Sequence, residues 1–164
     1  MYHYSTQASY LLKKAKYRGL CSALDCFLNY IPWSAWLGLL ESVSQLEQPT
    51  LVPIPITPSD QKKRGYNQSE LMARFLKQSF GLPTKSFLKK TKTNQKQSML
   101  NSVPARQQNV LGVYQLRPEV SIKNQDLIVL DDVITTGATI REAGRVLKQA
   151  GARRLIAWSL FGVS

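Results

Sequence analysis

The sequence predicts an α/β fold, with a mostly parallel central sheet flanked by helices and an N-terminal helical segment ahead of it. Three observations carry this reading. Leu127 to Leu130 is a short, branched apolar run of the kind found in parallel strands covered on both faces. Ile140, Ala143, Leu147 and Ala150 follow at helical spacing, and Gly151 stops that helix. Leu155 to Leu160 then returns as a second apolar strand. Taken in order, these make one right-handed βαβ unit. With 164 residues and 43% hydrophobic content, the chain is long enough for one core and too short for two comfortable domains.

From the N-terminus, Leu11, Leu12 and Ala15 mark a short amphipathic helix ending at Gly19, and Leu20, Leu24, Phe27 and Ile31 mark a second before Pro32. A third is expected from Ser34 to about Leu46, with Trp33 and Trp36 on its first turn packing against the sheet rather than stacking on bases. A short strand begins at Leu51. Pro53, Pro55 and Pro58 end it, because each lacks a ladder donor, and Ile56 to Tyr66 reads as an exposed loop. Asn67, with Glu70 three residues on, forms a capping-box start for a helix whose buried stripe is Leu71, Met72, Phe75 and Leu76; Gly81 closes it. A short strand is expected near Lys85 to Leu88. Lys89 to Gln108 is a polar stretch, long enough to be either a functional loop or a flexible linker.

Composition narrows the functional class. No run approaches the roughly 18 apolar residues of a membrane span, and the N-terminus lacks a signal-peptide cleavage pattern; a cytoplasmic protein without membrane insertion is the expectation. Cys21 and Cys26 lie five apart on a helix, so they face different sides and read as core thiols rather than a disulfide. His3 is the only histidine, so no zinc site is expected. The net charge of +12 is unevenly spread. Residues 61–118 carry twelve Lys or Arg against one acid, whereas the flanking segments are nearly balanced. Such a segment favours pyrophosphate, nucleotides or nucleic acid, or is simply a solvated basic surface.

The chemistry is concentrated between Leu127 and Ile140. Asp131 and Asp132 are expected to emerge at the carboxyl end of their strand, where open α/β sheets bind ligands. Val133 leads on to Thr135, Thr136, Gly137, Ala138 and Thr139, a turn that opens a helix and aims backbone N–H groups, hydroxyls and the positive helix end at one spot. That suits a phosphate. The two acids suit ribose hydroxyls or a hydrated divalent cation. Either feature alone is also compatible with a solvated turn, but the pair lacks both the lysine of a Walker loop and the spacing of a dinucleotide turn.

This stretch resembles the diphosphoribose motif of the type I phosphoribosyltransferases. Val52 to Pro55, the run Lys62 to Gln68, then Thr93, Gln97, Leu100, Arg106, Asn109, Val113 and Tyr114, with Leu12 to Gly19 at the start, resemble the ComF family of competence proteins. That family commonly begins with a four-cysteine zinc ribbon, which this sequence does not carry. The resemblance implies a type I phosphoribosyltransferase-like domain over 49–164, with 1–48 a helical segment packed on it as one compact unit. Phosphoribosyl diphosphate would sit on Asp131, Asp132, Val133, Thr135, Thr136, Gly137, Ala138 and Thr139, with Mg2+ held indirectly by Asp131 and Asp132. Its pyrophosphate side would face Pro53, Ile54, Arg64, Gly65, Lys89 and Lys90; for Arg64 a plain surface charge is the alternative. The polar stretch is similar in position to the loop that closes over the reacting sugar, where Lys89, Lys90 and Arg106 would neutralise departing pyrophosphate. Single-stranded DNA would be met by Lys13, Lys14, Lys16, Arg18, Lys62, Lys63 and Arg64, in natural transformation with a partner in the DNA-uptake machinery. The alternative is an active phosphoribosyltransferase with an unidentified nitrogen acceptor.

Overall fold

The computed structural model describes residues 2–3, 33–91 and 112–162, with side-chain surroundings for 37–91 and 112–160. Four strands form the main sheet: β1 (Tyr2–His3), β2 (Thr50–Pro53), β5 (Asp126–Ile134) and β6 (Arg154–Gly162). Their order across the sheet is β1-β6-β5-β2, and every pairing is parallel. A separate antiparallel hairpin pairs β3 (Leu88–Lys90) with β4 (Tyr114–Leu116). The helices are α1 (Trp33–Ser44), α2 (Pro58–Arg64), α3 (Gln68–Phe80) and α4 (Ala138–Gln149). The two helices predicted before Pro32, Cys21 and Cys26, the basic residues 13–18 and the stretch 92–111 lie outside the described residues.

Period-two alternation in β5 explains the layering. Leu127 and Val129 point into a core shared with Ala143 and Leu147 of α4 and with Phe87, Leu88 and Tyr114 of the hairpin region. Ile128 and Leu130 point the other way, into a core with Leu39 of α1 and Met72, Ala73 and Leu76 of α3. A strand covered on both faces must be apolar throughout, which is why this run shows no polar alternation. Parallel neighbours need a crossover, and α4 supplies it between β5 and β6.

Four sequence expectations are corrected. Ile56 to Tyr66 is not an exposed loop: it holds α2, and Tyr66 is buried. Pro58 starts that helix rather than breaking structure, since at the first helical position its missing N–H costs nothing. Thr57 caps it by accepting the Asp60 N–H at 3.1 Å, and Gly65 ends it in the left-handed region at φ +80°. The Asn67 cap reaches the Ser69 N–H at 3.1 Å, not that of Glu70, because the Asn67 side chain is also drawn to Ile54. The strand near Lys85 to Leu88 begins later, at Leu88; residues 83–85 instead run beside β2, with Pro83 O and Lys85 N bonded to Leu51.

The fourth concerns the acids. β5 continues through Asp131 and Asp132 to Ile134, because β6 is long enough to offer partners as far as Gly162. The ladder pairs Asp131 with Ser159 and Val133 with Phe161. Between them the carboxylates take over backbone donors: Asp132 N–H donates to Asp131 Oδ1 at 2.9 Å, and Val133 N–H to Asp132 Oδ1 at 3.0 Å. The side-chain phase slips there, and Val133 packs on the α1/α3 side that Ile128 and Leu130 face.

Candidate phosphoribosyl site

The chain after β5 turns at Thr135 and Thr136 and enters α4 through Gly137. Gly137 sits at φ +70°, where a side chain would be strained, and it offers no side-chain cap. The first turn of α4 has no acidic residue. Its N–H groups and positive dipole end therefore face a shallow concavity of about 210 Å³, open mouth included, lined by Asp131, Val133, Ile134 and the segment 135–140. Ala138 N–H makes only a long 3.4 Å contact to Thr136 Oγ1. The cradle predicted from Val133, Thr135, Thr136, Gly137, Ala138 and Thr139 is thus assembled on one turn, with Asp131 at its rim and Asp132 buried beside it.

The carboxyl end of β2 lies next to this turn. Pro53 pairs with Leu130, and Ile54 N–H donates to Leu130 O at 2.9 Å, extending the ladder up to the acids. Asn67 Nδ2 donates to Ile54 O at 3.0 Å, so the start of α3 pins the segment from Ile54 to Thr57. Arg64 and Gly65 close α2 a few residues away in sequence.

The hairpin brings in a cation. Lys90 is half-buried on β3, and its ammonium lies in the fields of Asp60 and Arg64 from α2 and of Asp131 from β5. Burial lowers its pKa; the carboxylates of Asp60 and Asp131 oppose this and Arg64 adds to it. One lysine thereby joins the predicted pyrophosphate side to the acid pair. Lys89 is also half-buried, while Lys62 and Lys63 are exposed on α2.

Three residues near the site carried no role in the sequence reading. Tyr114 stands across the hairpin from Lys90; burial, then the charges of Asp131 and Glu142, push its hydroxyl pKa up. Glu142 is buried on α4, accepts the Gly112 N–H at 2.8 Å and is forked by Arg145 at 2.7 and 2.8 Å. Those bonds hold its carboxyl below the usual range and tie β4 to the helix of the cradle. Arg141 folds back over Gly137: a Cβ on that glycine would lie 3.0 Å from Arg141 Nη1. Only its i, i+4 distance from Gly137 hints at this in the sequence.

The acid pair fits a hydrated cation better than a protein cage. One oxygen of each carboxylate already accepts a backbone N–H, and no group of three or more His, Cys, Asp or Glu able to hold a metal occurs among the described residues. Mg2+ prefers to keep several waters and to lean on a phosphate ligand, which two carboxylates can assist through water.

Residues 66–163 match the domain family described as "Phosphoribosyl transferase domain". The chain is a ComF-like member of the phosphoribosyl transferase domain family. This ComF-like chain is 30% identical over 119 residues to "Competence protein F" of Haemophilus influenzae, covering 71% of the chain and 52% of that protein. It is 26% identical over 153 residues to "Competence protein ComFC" of Bacillus subtilis, covering 92% of the chain and 58% of that protein. "DNA utilization protein YhgH" of Escherichia coli is 28% identical over 111 residues, covering 67% and 48%. The chain spans about half the length of these curated relatives. Among solved structures, an adenine phosphoribosyltransferase matches with a TM-score of 0.52 at 14% identity, over 80% of this chain and 67% of that one, which places the ComF-like chain in the same α/β fold.

Proposed function

We propose that this ComF-like protein acts in DNA uptake, holding phosphoribosyl diphosphate in the Thr135–Thr139 cradle and single-stranded DNA on the basic edge around α2. The observation that carries this reading is the convergence at one sheet end of an anion cradle, an acid pair and Lys90. The cradle suits the 5-phosphate, Asp131 and Asp132 suit the ribose hydroxyls and hydrated Mg2+, and Lys90 with Arg64 suits the diphosphate. The names of the relatives support the DNA half, as do the exposed Lys62 and Lys63. A cytoplasmic location and a partner in the uptake machinery belong to the same proposal; among the described residues no helix is long and apolar enough to cross a membrane.

A second reading, phosphoribosyl transfer to a nitrogen acceptor, is favoured by the cation on the leaving-group side. There the chain would position the sugar, neutralise departing pyrophosphate and stabilise the developing cation electrostatically, with no nucleophile required. Release of pyrophosphate in the presence of nucleobases separates it from binding alone.

The pocket is tested by thermal protection. Phosphoribosyl diphosphate with Mg2+ at about 100 times its Kd should raise Tm by about 5 to 10 °C. Asp131→Ala with Asp132→Ala should abolish that rise, and no shift in the unmutated protein would sink the reading.

A further inference from the structure

Glu142 sits on the inner face of α4, one turn beyond Ala138 of the cradle, and is buried. A carboxylate is costly to bury unless its oxygens are engaged, and here both are. Oε1 accepts the Gly112 N–H at 2.8 Å and Arg145 Nη2 at 2.7 Å, and Oε2 accepts Arg145 Nε at 2.8 Å. Gly112 leads through Val113 into β4, and the Val113 carbonyl accepts both the N–H and the Oγ1 of Thr91, at 2.9 and 3.1 Å. Thr91 directly follows Lys90, which pairs across the hairpin with Tyr114. A connected set of hydrogen bonds therefore ties the helix of the cradle to the end of the hairpin that carries Lys90.

Ala143 and Leu147 of α4 share one apolar core with Val113 and Tyr114, which holds helix and hairpin together but fixes no single register between them, because apolar attraction is non-directional. The Glu142 bonds are buried and directional, so they select one register. Resting on the reading of the site as one for phosphoribosyl diphosphate, we propose that Glu142 is a positioning residue that sets the span between the cradle and Lys90. The site thereby favours a sugar with anionic groups at both ends over one with a single phosphate. Glu142 does not line the concavity and acts through Lys90. Ribose 5-phosphate, which ends where the cradle ends, is indifferent to that span.

Calorimetric titration of the full chain with phosphoribosyl diphosphate and Mg2+, and separately with ribose 5-phosphate, tests this. Glu142→Ala should weaken the diphosphate about tenfold and leave ribose 5-phosphate within about twofold. Glu142→Gln keeps an oxygen for the Gly112 N–H and should restore most of the difference. Glu142→Asp keeps the charge but is one methylene short of that N–H; it should show the same selective loss, and it serves where the alanine variant does not fold. In a Lys90→Ala background Glu142→Ala should cost the diphosphate no more than about twofold further, because the two residues act as a unit. Equal loss of both ligands, or additive losses in the double variant, overturns the positioning role while leaving the sugar-phosphate reading standing. Failure of the unmutated protein to bind either ligand overturns both.

Discussion

Asp126 and Asp131 lie on one strand, five residues apart, yet their surroundings assign them different work. Asp126 begins β5 with a buried side chain. It accepts from Arg153 Nε at 2.8 Å and Nη2 at 2.9 Å, and from Glu47 N–H at 2.8 Å. The Arg153 bonds are the main reason its pKa falls from 3.8 to about 2; burial works against them, and the Glu47 N–H and the charges of Arg153 and Arg154 assist. A carboxylate whose pKa is lower folded than unfolded stabilises the fold above 3.8, and that contribution is lost as pH falls through about 2. Asp126→Asn should therefore cost about 2 kcal/mol at neutral pH, a figure held down by solvent screening at the partly exposed Arg153. It should also flatten the fall of Tm with pH between 3.8 and about 2. Thermal melts across that range check both statements, and an unchanged acid slope would show that the fork contributes nothing to the linkage. Asp131, at the other end of the same strand, is half-exposed and lines the concavity in front of α4.

At the scale of elements, the start of α3 connects the fold to the site. Asn67 is 2% exposed and serves two partners at once, accepting from Ser69 N–H and donating from Nδ2 to Ile54 O. Asn67→Ala removes a helix cap and leaves a buried carbonyl short of a donor, for an expected loss of about 2 kcal/mol. Asn67→Asp keeps the cap acceptor but not the donor, so it should retain more helix stability while still weakening phosphoribosyl diphosphate binding. Chemical denaturation with ligand titration separates the two, and equal behaviour of both variants would argue against a role for the Ile54 bond. Elements with a strong period were legible in the sequence: β5, α4 and β6 follow from apolar spacing alone, and the cradle from its place between them. α2 was missed because Pro58 was read as a breaker, although Thr57, Pro58 and Asp60 together form a helix start. The hairpin was missed because three-residue strands carry no period, and its pairing spans the polar stretch between Lys90 and Tyr114. Arg141 and Tyr114 could not be placed at the site from sequence, since a charge on an exposed helix position and a buried aromatic each have a plainer explanation until the neighbouring elements are known.

Across the described residues, the two ends of β5 differ in how their charges are engaged. Its amino end is knitted by Asp126, Arg153 and Glu47, with Arg154 Nη1 donating to Gln45 O, so cations there are already occupied. Its carboxyl end leads into the cradle and lies in the field of Lys90, which, like the exposed Lys62 and Lys63 of α2, comes from the segment holding twelve basic residues against one acid. An excess of basic residues on one surface orients a polyanion toward it and makes its binding depend on released counterions. For a single strand, each neutralised phosphate contributes about 0.7 to the slope of log affinity against log salt. If Lys62 and Lys63 each meet a phosphate, replacing both by Ala should lower the slope by about 1.4 and weaken binding similarly for every sequence, because backbone contacts carry no base information. Fluorescence anisotropy of labelled oligothymidylate over a salt series measures it. An unchanged slope would move the strand off α2, and binding insensitive to salt in the unmutated protein would remove the electrostatic basis for a strand site on this end of the sheet.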